Sequence, residues 1–244
     1  MRLCVVLAGG AGRRMGGDKP QRLYQARALG EHALSLAASF ANHVALSVRE
    51  RRQADELPPV QLLFDSPKIE GPLAGVASGL AHGAQIGAAH VLTIPCDAPH
   101  LPDDLYTRLE EALVQDPDAL AASAGDSRQG HPTCTLWRIE ALEPLLCYAQ
   151  SGRRSLRGLL VELNGRQVVW EDPRGQVFLN LNTPEDLTNQ SGQMAARAVR
   201  ALRDIDQGWN AQERHGPPEW RTMHADQRGR SRTRQGAAVS ENGQ

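Results

Sequence analysis

The chain opens with an apolar run, LCVVLA (3–8), and three of similar length follow: HVALSV (43–48), VQLLF (60–64) and HVLTI (90–94). Short, nearly continuous apolar runs of this kind mark strands covered on both faces. Between them the spacing becomes helical. HALSLAASFA (32–41) sets Leu34, Ala37, Ala38 and Ala41 on one stripe, and PLAGVASGLAHGA (72–84) begins with Pro at a favoured first-turn position. PDDLYTRLEEALVQ (102–115) carries acids at its start and Leu105, Leu109, Ala112 and Leu113 on one face. This alternation predicts an α/β fold, a Rossmann-like three-layer sandwich with a mostly parallel central sheet. Ligands then bind along the edge formed by the loops that follow the strands.

Beyond residue 116 the pattern is less regular. TCTLW (133–137), RQVVW (166–170) and QVFLNL (176–181) read as strands, and IEALEPLLCYAQ (139–150) as a helix interrupted by Pro144. These segments either extend the sheet or build a smaller substrate-facing lobe. Composition shifts near residue 190: residues 1–190 carry a formal charge of −4 and residues 191–244 one of +3, within a net charge of −1. The expected organisation is one domain over 1–190 and a C-terminal extension over 191–244. The extension starts with an amphipathic helix at about 193–209, whose stripe holds Met194, Ala198, Val199, Leu202, Ile205 and Trp209, and ends in disorder. RGRSRTR (228–234) is basic, but it is short and lacks aromatics on which bases could stack, which argues against a nucleic-acid partner.

The near-zero net charge gives no strong pull toward nucleic acid or membrane, and no run of about 18 apolar residues offers a membrane span. Aromatics make up 4% of the chain, so its core must be built mostly from Leu, Val and Ala. Cys4, Cys96, Cys134 and Cys147 show no C-x-x-C pairing and read as buried thiols of a reducing compartment, so a cytoplasmic protein is expected. Only two lysines occur, Lys19 and Lys68, and the first ends the most informative segment of the chain.

That segment is LAGGAGRRMGGDKP (7–20), in which a strand runs into five glycines within nine positions. Glycines let the backbone approach a ligand closely, and successive free N–H groups make an anion-binding concavity. Arg13, Arg14 and Lys19 add the charge that a polyphosphate requires. Neither obvious phosphate motif fits. A dinucleotide fingerprint begun at Gly10 and Gly12 meets Met15 where its third glycine belongs, and Gly17-Asp18-Lys19-Pro20 does not complete a Walker A loop. A flexible turn with solvated Arg explains the glycines but not the Asp-Lys-Pro that follows.

Further along, FDS (64–66) is followed by EGPLAG (70–75), and then come TIPCDAPHLP (93–102), GHPTCTLW (130–137) and FLNLNTPEDL (178–187). Taken with the glycine loop, this ordered set resembles the molybdenum cofactor guanylyltransferases, within the nucleotidyltransferases of the nucleotide-diphospho-sugar transferase fold. The resemblance covers about residues 1–190. It implies transfer of GMP from GTP to the terminal phosphate of molybdopterin, with pyrophosphate released. It also implies Mg²⁺ as cofactor, and other cofactor-biosynthesis proteins and acceptor molybdoenzymes as partners.

Carried onto this chain residue by residue, the resemblance makes Arg14, Lys19 and Asp97 catalytic, with Asp97 also the metal ligand. Leu7, Ala8, Gly9, Gly10, Lys19, Ser47, Asp65 and Asp97 would bind the nucleotide. Ser47 departs from the pattern, since related guanylyl enzymes often carry Asn there. Asn180 and Asn182 are assigned to the pterin or the metal environment. Read from the residues alone, Arg153 and Arg154 place two guanidinium forks after a helix, which makes the pterin phosphate their candidate partner.

The residues themselves allow other readings. Asp97 and Asp65 could each be a turn aspartate, Arg153-Arg154 a solvated loop, and Gly71–Gly75 either an anion-binding helix start or a close packing contact. His131 has no nucleophile beside it in sequence and reads as a surface or hydrogen-bonded His. Thr183-Pro184-Glu185-Asp186 reads as a helix N-cap followed by Pro and first-turn acids. The rival enzymes are a molybdenum cofactor cytidylyltransferase and a sugar-phosphate nucleotidyltransferase. The rival from another class is a nucleotide-binding regulator that docks through its basic tail.

Overall fold

Four strands read from their apolar runs form one half of a seven-stranded sheet. In the computed structural model, which describes residues 1–10, 19–172, 176–183 and 185–187, the strand order is β5-β4-β1-β6-β8-β7-β9. β1 (Arg2–Leu7), β4 (His43–Val48), β5 (Gln61–Phe64) and β6 (His90–Pro95) run parallel. β8 (Gly130–Arg138) is antiparallel to β6 and to β7 (Ala121–Asp126), while β9 (Arg166–Trp170) returns parallel to β7. The segments TCTLW and RQVVW therefore extend the sheet, and no separate lobe arises from them. A two-stranded hairpin, β2 (Leu23–Tyr24) with β3 (Arg27–Ala28), turns through Gln25 and Ala26, both at positive φ.

Alternation along each strand feeds two cores, because successive side chains of a strand point to opposite faces. Cys4, Val6, Leu46, Val48, Leu92 and Ile94 pack with α1 (Leu29–Phe40) and α3 (Leu105–Gln115). Leu3, Val5, Ala45 and Val91 face the other way, toward α2 (Pro72–Gln85), α4 (Leu142–Gln150) and α5 (Leu156–Glu162). Each fully buried aliphatic side chain contributes on the order of 1.5–3 kcal/mol. Helices on both faces are what near-continuous apolar strands require.

Several local expectations need correction. The buried face of α1 is Leu29, Gly30, Ala33, Ala37 and Phe40; of the expected stripe Ala37 is buried, Leu34 and Ala41 pack partly against the core and Ala38 is exposed. Pro144 does not interrupt a helix, because it lies in the first turn of α4, where its missing N–H costs nothing. Residues 176–181 form no strand: Phe178 takes φ 62° and the chain turns there. Cys147 is exposed while Cys4, Cys96 and Cys134 are buried, and all four are free thiols.

The described residues fall within one compact unit, Met1–Ser191. The expected helix at 193–209 and the tail after it lie outside the described residues. Among the described residues no helix is long and apolar enough to cross a membrane.

Candidate active site

Strand register brings the motifs to one edge. Leu7 is level with Ser47 on β4 and with Pro95 on β6, and Val48 is level with Phe64 on β5. The residues just past these strand ends, Gly9, Asp65 and Asp97, therefore meet at the carboxyl edge. The order of connections reverses at β1, the place where open α/β sheets bind ligands. All eight residues expected to bind nucleotide, Leu7, Ala8, Gly9, Gly10, Lys19, Ser47, Asp65 and Asp97, line a single cleft there, together with Asn180.

At one end of the cleft Lys19 is the hub. Its ammonium contacts Asp97 Oδ2 and donates to Asn182 Oδ1 at 2.9 Å. The Lys19–Asp97 pair is largely shielded, with side chains 14% and 12% exposed, so its attraction is screened far less than at an open surface. The Asn180–Asn182 segment is tied to the same spot by Leu181 N–H, which donates to Asp97 O at 2.8 Å. Leu181 itself is buried with Tyr24 and Leu29. Asp186 accepts from the backbone of Asn182 and Thr183, at 2.8 and 2.9 Å, and these bonds hold its carboxyl below the usual carboxylate range. Thr183 Oγ1 accepts in return from Asp186 N–H, the N-cap arrangement that T-P-E-D predicts.

At the other end, Ser47 Oγ donates to Asp65 Oδ1 at 2.5 Å. Burial raises the pKa of Asp65, while the Ser47 hydrogen bond and the nearby Arg49 charge pull it back down. The tight turn that follows is made by Ser66, whose Oγ accepts from Lys68 N–H and whose carbonyl accepts from Ile69 N–H. Asp65 is thus not spent on the turn. Gly9 is required by this contact, since a Cβ there would collide with Asp65 Oδ2. Gly75 is required for a second close approach: its Cβ would lie 2.8 Å from Leu7 Cδ2 and crowd Ser47 Oγ. The packing reading of G-P-L-A-G is therefore realised, and Gly71 and Pro72 also line the cleft.

Arg14, with the rest of residues 11–18, lies outside the described residues. Arg153 and Arg154 do not line the cleft. Arg153 pairs with Glu162 and sits over the Tyr148 ring, while Arg154 pairs with Glu70 at 2.7 Å on the Asp65 side, away from the lysine hub.

One feature escaped the sequence reading, and His131 takes the hydrogen-bonded of its two expected states. Gln53 is buried and binds both flanks of the glycine turn: its Nε2 donates to Ala8 O at 3.2 Å and Gly10 O at 3.5 Å, and its Oε1 accepts from Arg49 and Glu50 N–H. The E-x-x-Q spacing of Glu50 and Gln53, a capping box, was the available signal. His131 is buried and bonded to Asp126 at 2.9 Å, and its ring stacks on Phe178 at 4.7 Å. Burial alone would raise the pKa of Asp126, but hydrogen bonds from His131 and from the Arg128 and Gln129 backbone bring it to about 2.

A model of the MobA-like NTP transferase domain matches residues 4–167. The chain belongs to the MobA-like NTP transferase family. Its similarity extends to the molybdenum cofactor guanylyltransferase of Rhizobium johnstonii, 33% identical over 210 residues that cover 82% of this chain and 93% of the relative. The enzyme of the same name from Aliivibrio fischeri is 35% identical over 186 residues, covering 75% and 92%. Among solved structures, molybdopterin-guanine dinucleotide biosynthesis protein A from Archaeoglobus fulgidus superposes with a TM-score of 0.64 at 22% identity, over 80% of this chain and all of that one. A CMP:2-keto-3-deoxy-manno-octonic acid synthetase complexed with CTP gives 0.60 at 14% identity, over 81% and 98%. The MobA-like fold is thus the three-layer sandwich of the nucleotide-diphospho-sugar transferases, and membership of this family makes the chain a nucleotidyltransferase.

The cleft also bears on the type of chemistry. Cys96 lines it, but burial and the neighbouring Asp97 charge push its thiol to about 12, so it is no thiolate nucleophile near neutral pH. Among the described residues no cluster of three or more His, Cys, Asp and Glu could cage a metal. Asp97, with the Asn182 amide oxygen beside its partner Lys19, is a small hard-oxygen donor set. Such a set suits Mg²⁺, which takes one or two carboxylates and fills its remaining positions with water and phosphate oxygens.

Proposed function

We propose that the chain transfers GMP from GTP to the terminal phosphate of molybdopterin and releases pyrophosphate. What supports this reading is the meeting of Lys19, Asp97 and Asn182 beside Gly9 and Gly10, in a cleft whose far end carries the Asp65 carboxylate. Phosphates belong beside Lys19 and the backbone N–H groups of the glycine turn. Asp65 would repel them, and it suits a base edge that donates hydrogen bonds. Guanine offers two neighbouring donors there, N1–H and the 2-amino group, whereas cytosine offers one, the 4-amino group, and sets the N3 acceptor directly beside it.

An oxygen of the acceptor phosphate attacks the GTP α-phosphorus. The new P–O bond forms as the bond to the β-phosphate bridge breaks, and pyrophosphate carries away the electron pair. The acceptor is already anionic near neutral pH, so no protein nucleophile is needed. Lys19 counters charge that builds toward the leaving group, which is how positioned cations lower the barrier of such transfers. The glycine turn, held from beneath by Gln53, offers backbone N–H groups to the triphosphate. Asp97 would hold Mg²⁺, which when bound neutralises phosphate charge. Asn180 and Asn182 orient the acceptor.

Incubation with molybdopterin, GTP and Mg²⁺ should yield the guanine dinucleotide of the pterin, detected by mass spectrometry. Unchanged pterin under these conditions contradicts the proposal.

A further inference from the structure

Arg49 is a cation of the cleft with no task in the proposed transfer. It follows β4 directly, and its backbone N–H is fixed to Gln53 Oε1 at 2.8 Å, on the same side chain that holds the Ala8 and Gly10 carbonyls. Its stem runs alongside the glycine turn, with Cγ 3.5 Å from where a Cβ on Gly9 would stand. The side chain lines the cleft beside Asp65 and also a second depression bounded by Asp65 and Gly71. It is exposed, and its guanidinium makes no hydrogen bond or ion pair with another described residue. A free fork thus stands next to a carboxylate at the end of the cleft away from Lys19.

Ser47 shows why such a fork is needed. A hydroxyl has one hydrogen to donate, and that of Ser47 is committed to Asp65 Oδ1 at 2.5 Å. Among the described residues, the base end thus pairs a strong acceptor, Asp65, with Arg49 as its cationic donor. Guanine presents both kinds of edge side by side: N1–H and the 2-amino group donate, and immediately next to N1 come the acceptors O6 and N7. Arginine is the side chain whose fork matches O6 and N7 together, while adenine sets an amino donor beside N7 and would meet the fork with like polarity.

We propose that Arg49 is a specificity-determining residue, which reads guanine O6 and N7 while Asp65 accepts from N1–H and the 2-amino group. This rests on the assignment of GTP as donor substrate. Carboxylate and guanidinium then embrace the base from adjacent sides. The pair replaces, with a longer and charged donor, what the short Ser47 hydroxyl cannot reach.

The test is binding of Mg²⁺-nucleotides to the full chain without acceptor, measured by displacement of a fluorescent GTP analogue. The competitors are GTP, CTP and 7-deaza-GTP, in which N7 is replaced by C–H. The natural chain should bind GTP about tenfold more tightly than 7-deaza-GTP. In Arg49→Ala the GTP affinity should fall by about tenfold or more, with 7-deaza-GTP affected less, so that the ratio of the two approaches one. Arg49→Lys keeps the charge without the fork and should also lose the ratio. An unchanged melting temperature of both variants shows that the fold is intact. Equal weakening of GTP and 7-deaza-GTP in Arg49→Ala, the behaviour of a phosphate contact, overturns the proposal, as does a full ratio in Arg49→Lys. Equal binding of GTP and CTP by the natural chain overturns both the Arg49 role and the GTP assignment beneath it. A GTP preference that survives in Arg49→Ala with its 7-deaza ratio intact overturns the Arg49 role alone.

Discussion

At one end of the cleft Lys19, Asp97 and Asn182 converge from positions up to 163 residues apart in the chain, and charge is what joins them. At the other end Ser47, Arg49, Gln53 and Asp65 come from two adjacent parallel strands and the segment between them, joined by hydrogen bonds that are complete before any ligand arrives. The difference separates two tasks. In the proposed reaction Lys19 and Asp97, which pair with each other in the free protein, exchange that partnership for phosphate, so substitutions there should act on turnover. The Asp65 end is set in advance, so substitutions there should act on which base is chosen and on stability.

The largest effects belong to the charged end. Lys19→Ala and Asp97→Asn should each lower kcat by about 10²-fold or more. The double variant should lose much less than the product of the two, because both act on one event. Multiplicative losses in steady-state kinetics would mean that the two groups work independently, and the contrast between the ends would weaken.

Asp65→Asn sharpens the other side. It should remove most of the preference for GTP over CTP while leaving kcat on saturating nucleotide much closer to normal. It should also raise the melting temperature at neutral pH. The sign follows from burial, which raises the folded-state pKa of Asp65 above its unfolded value. The ionised carboxylate is then a cost to the folded state above that raised pKa. As pH falls through it, the folded protein takes up the proton first and the cost disappears. The advantage of Asp65→Asn should therefore shrink on acidification toward pH 4, which melting curves across that range would show. A stability difference that grows on acidification would contradict the account.

Gln53→Ala should cost about 1–3 kcal/mol in denaturant unfolding, because the Arg49 N–H and the Ala8 carbonyl lose a buried partner. It should also raise KM for the nucleotide. A core truncation on the sheet, Leu92→Ala, should cost about 2–5 kcal/mol without touching base preference. The smallest effects are expected at the two arginines whose forks made the pterin phosphate their candidate partner. Arg153 and Arg154 point to exposed partners rather than the cleft, so replacing either by Ala should change stability by less than about 0.5 kcal/mol and kcat/KM by less than about twofold.

Much of the parallel half of the sheet was legible because its strands are buried on both faces and therefore read as apolar runs. β7 was not: its sequence, AASAGD, has no branched or aromatic residue to mark a strand, and only pairing with β8 and β9 on either side makes it one. The opposite error arose at QVFLNL, whose apolar residues serve separate contacts. Phe178 stacks on His131 and meets Trp170 edge-on, Leu181 enters the Tyr24 cluster, and the turn at Phe178 replaces the expected strand. The motif residues Gly9, Ser47, Asp65 and Asp97 were legible because each sits at or just past a strand end, where local sequence and ligand edge coincide. Gln53 and Arg49 were not, since their importance comes from what register sets beside them.

The most direct test of the central claim is pyrophosphate release measured with GTP and with CTP in parallel, each with and without molybdopterin, in the presence of Mg²⁺. Release should require molybdopterin, favour GTP and be lost in Lys19→Ala. Preference for CTP, or release that does not depend on the pterin, would contradict that claim.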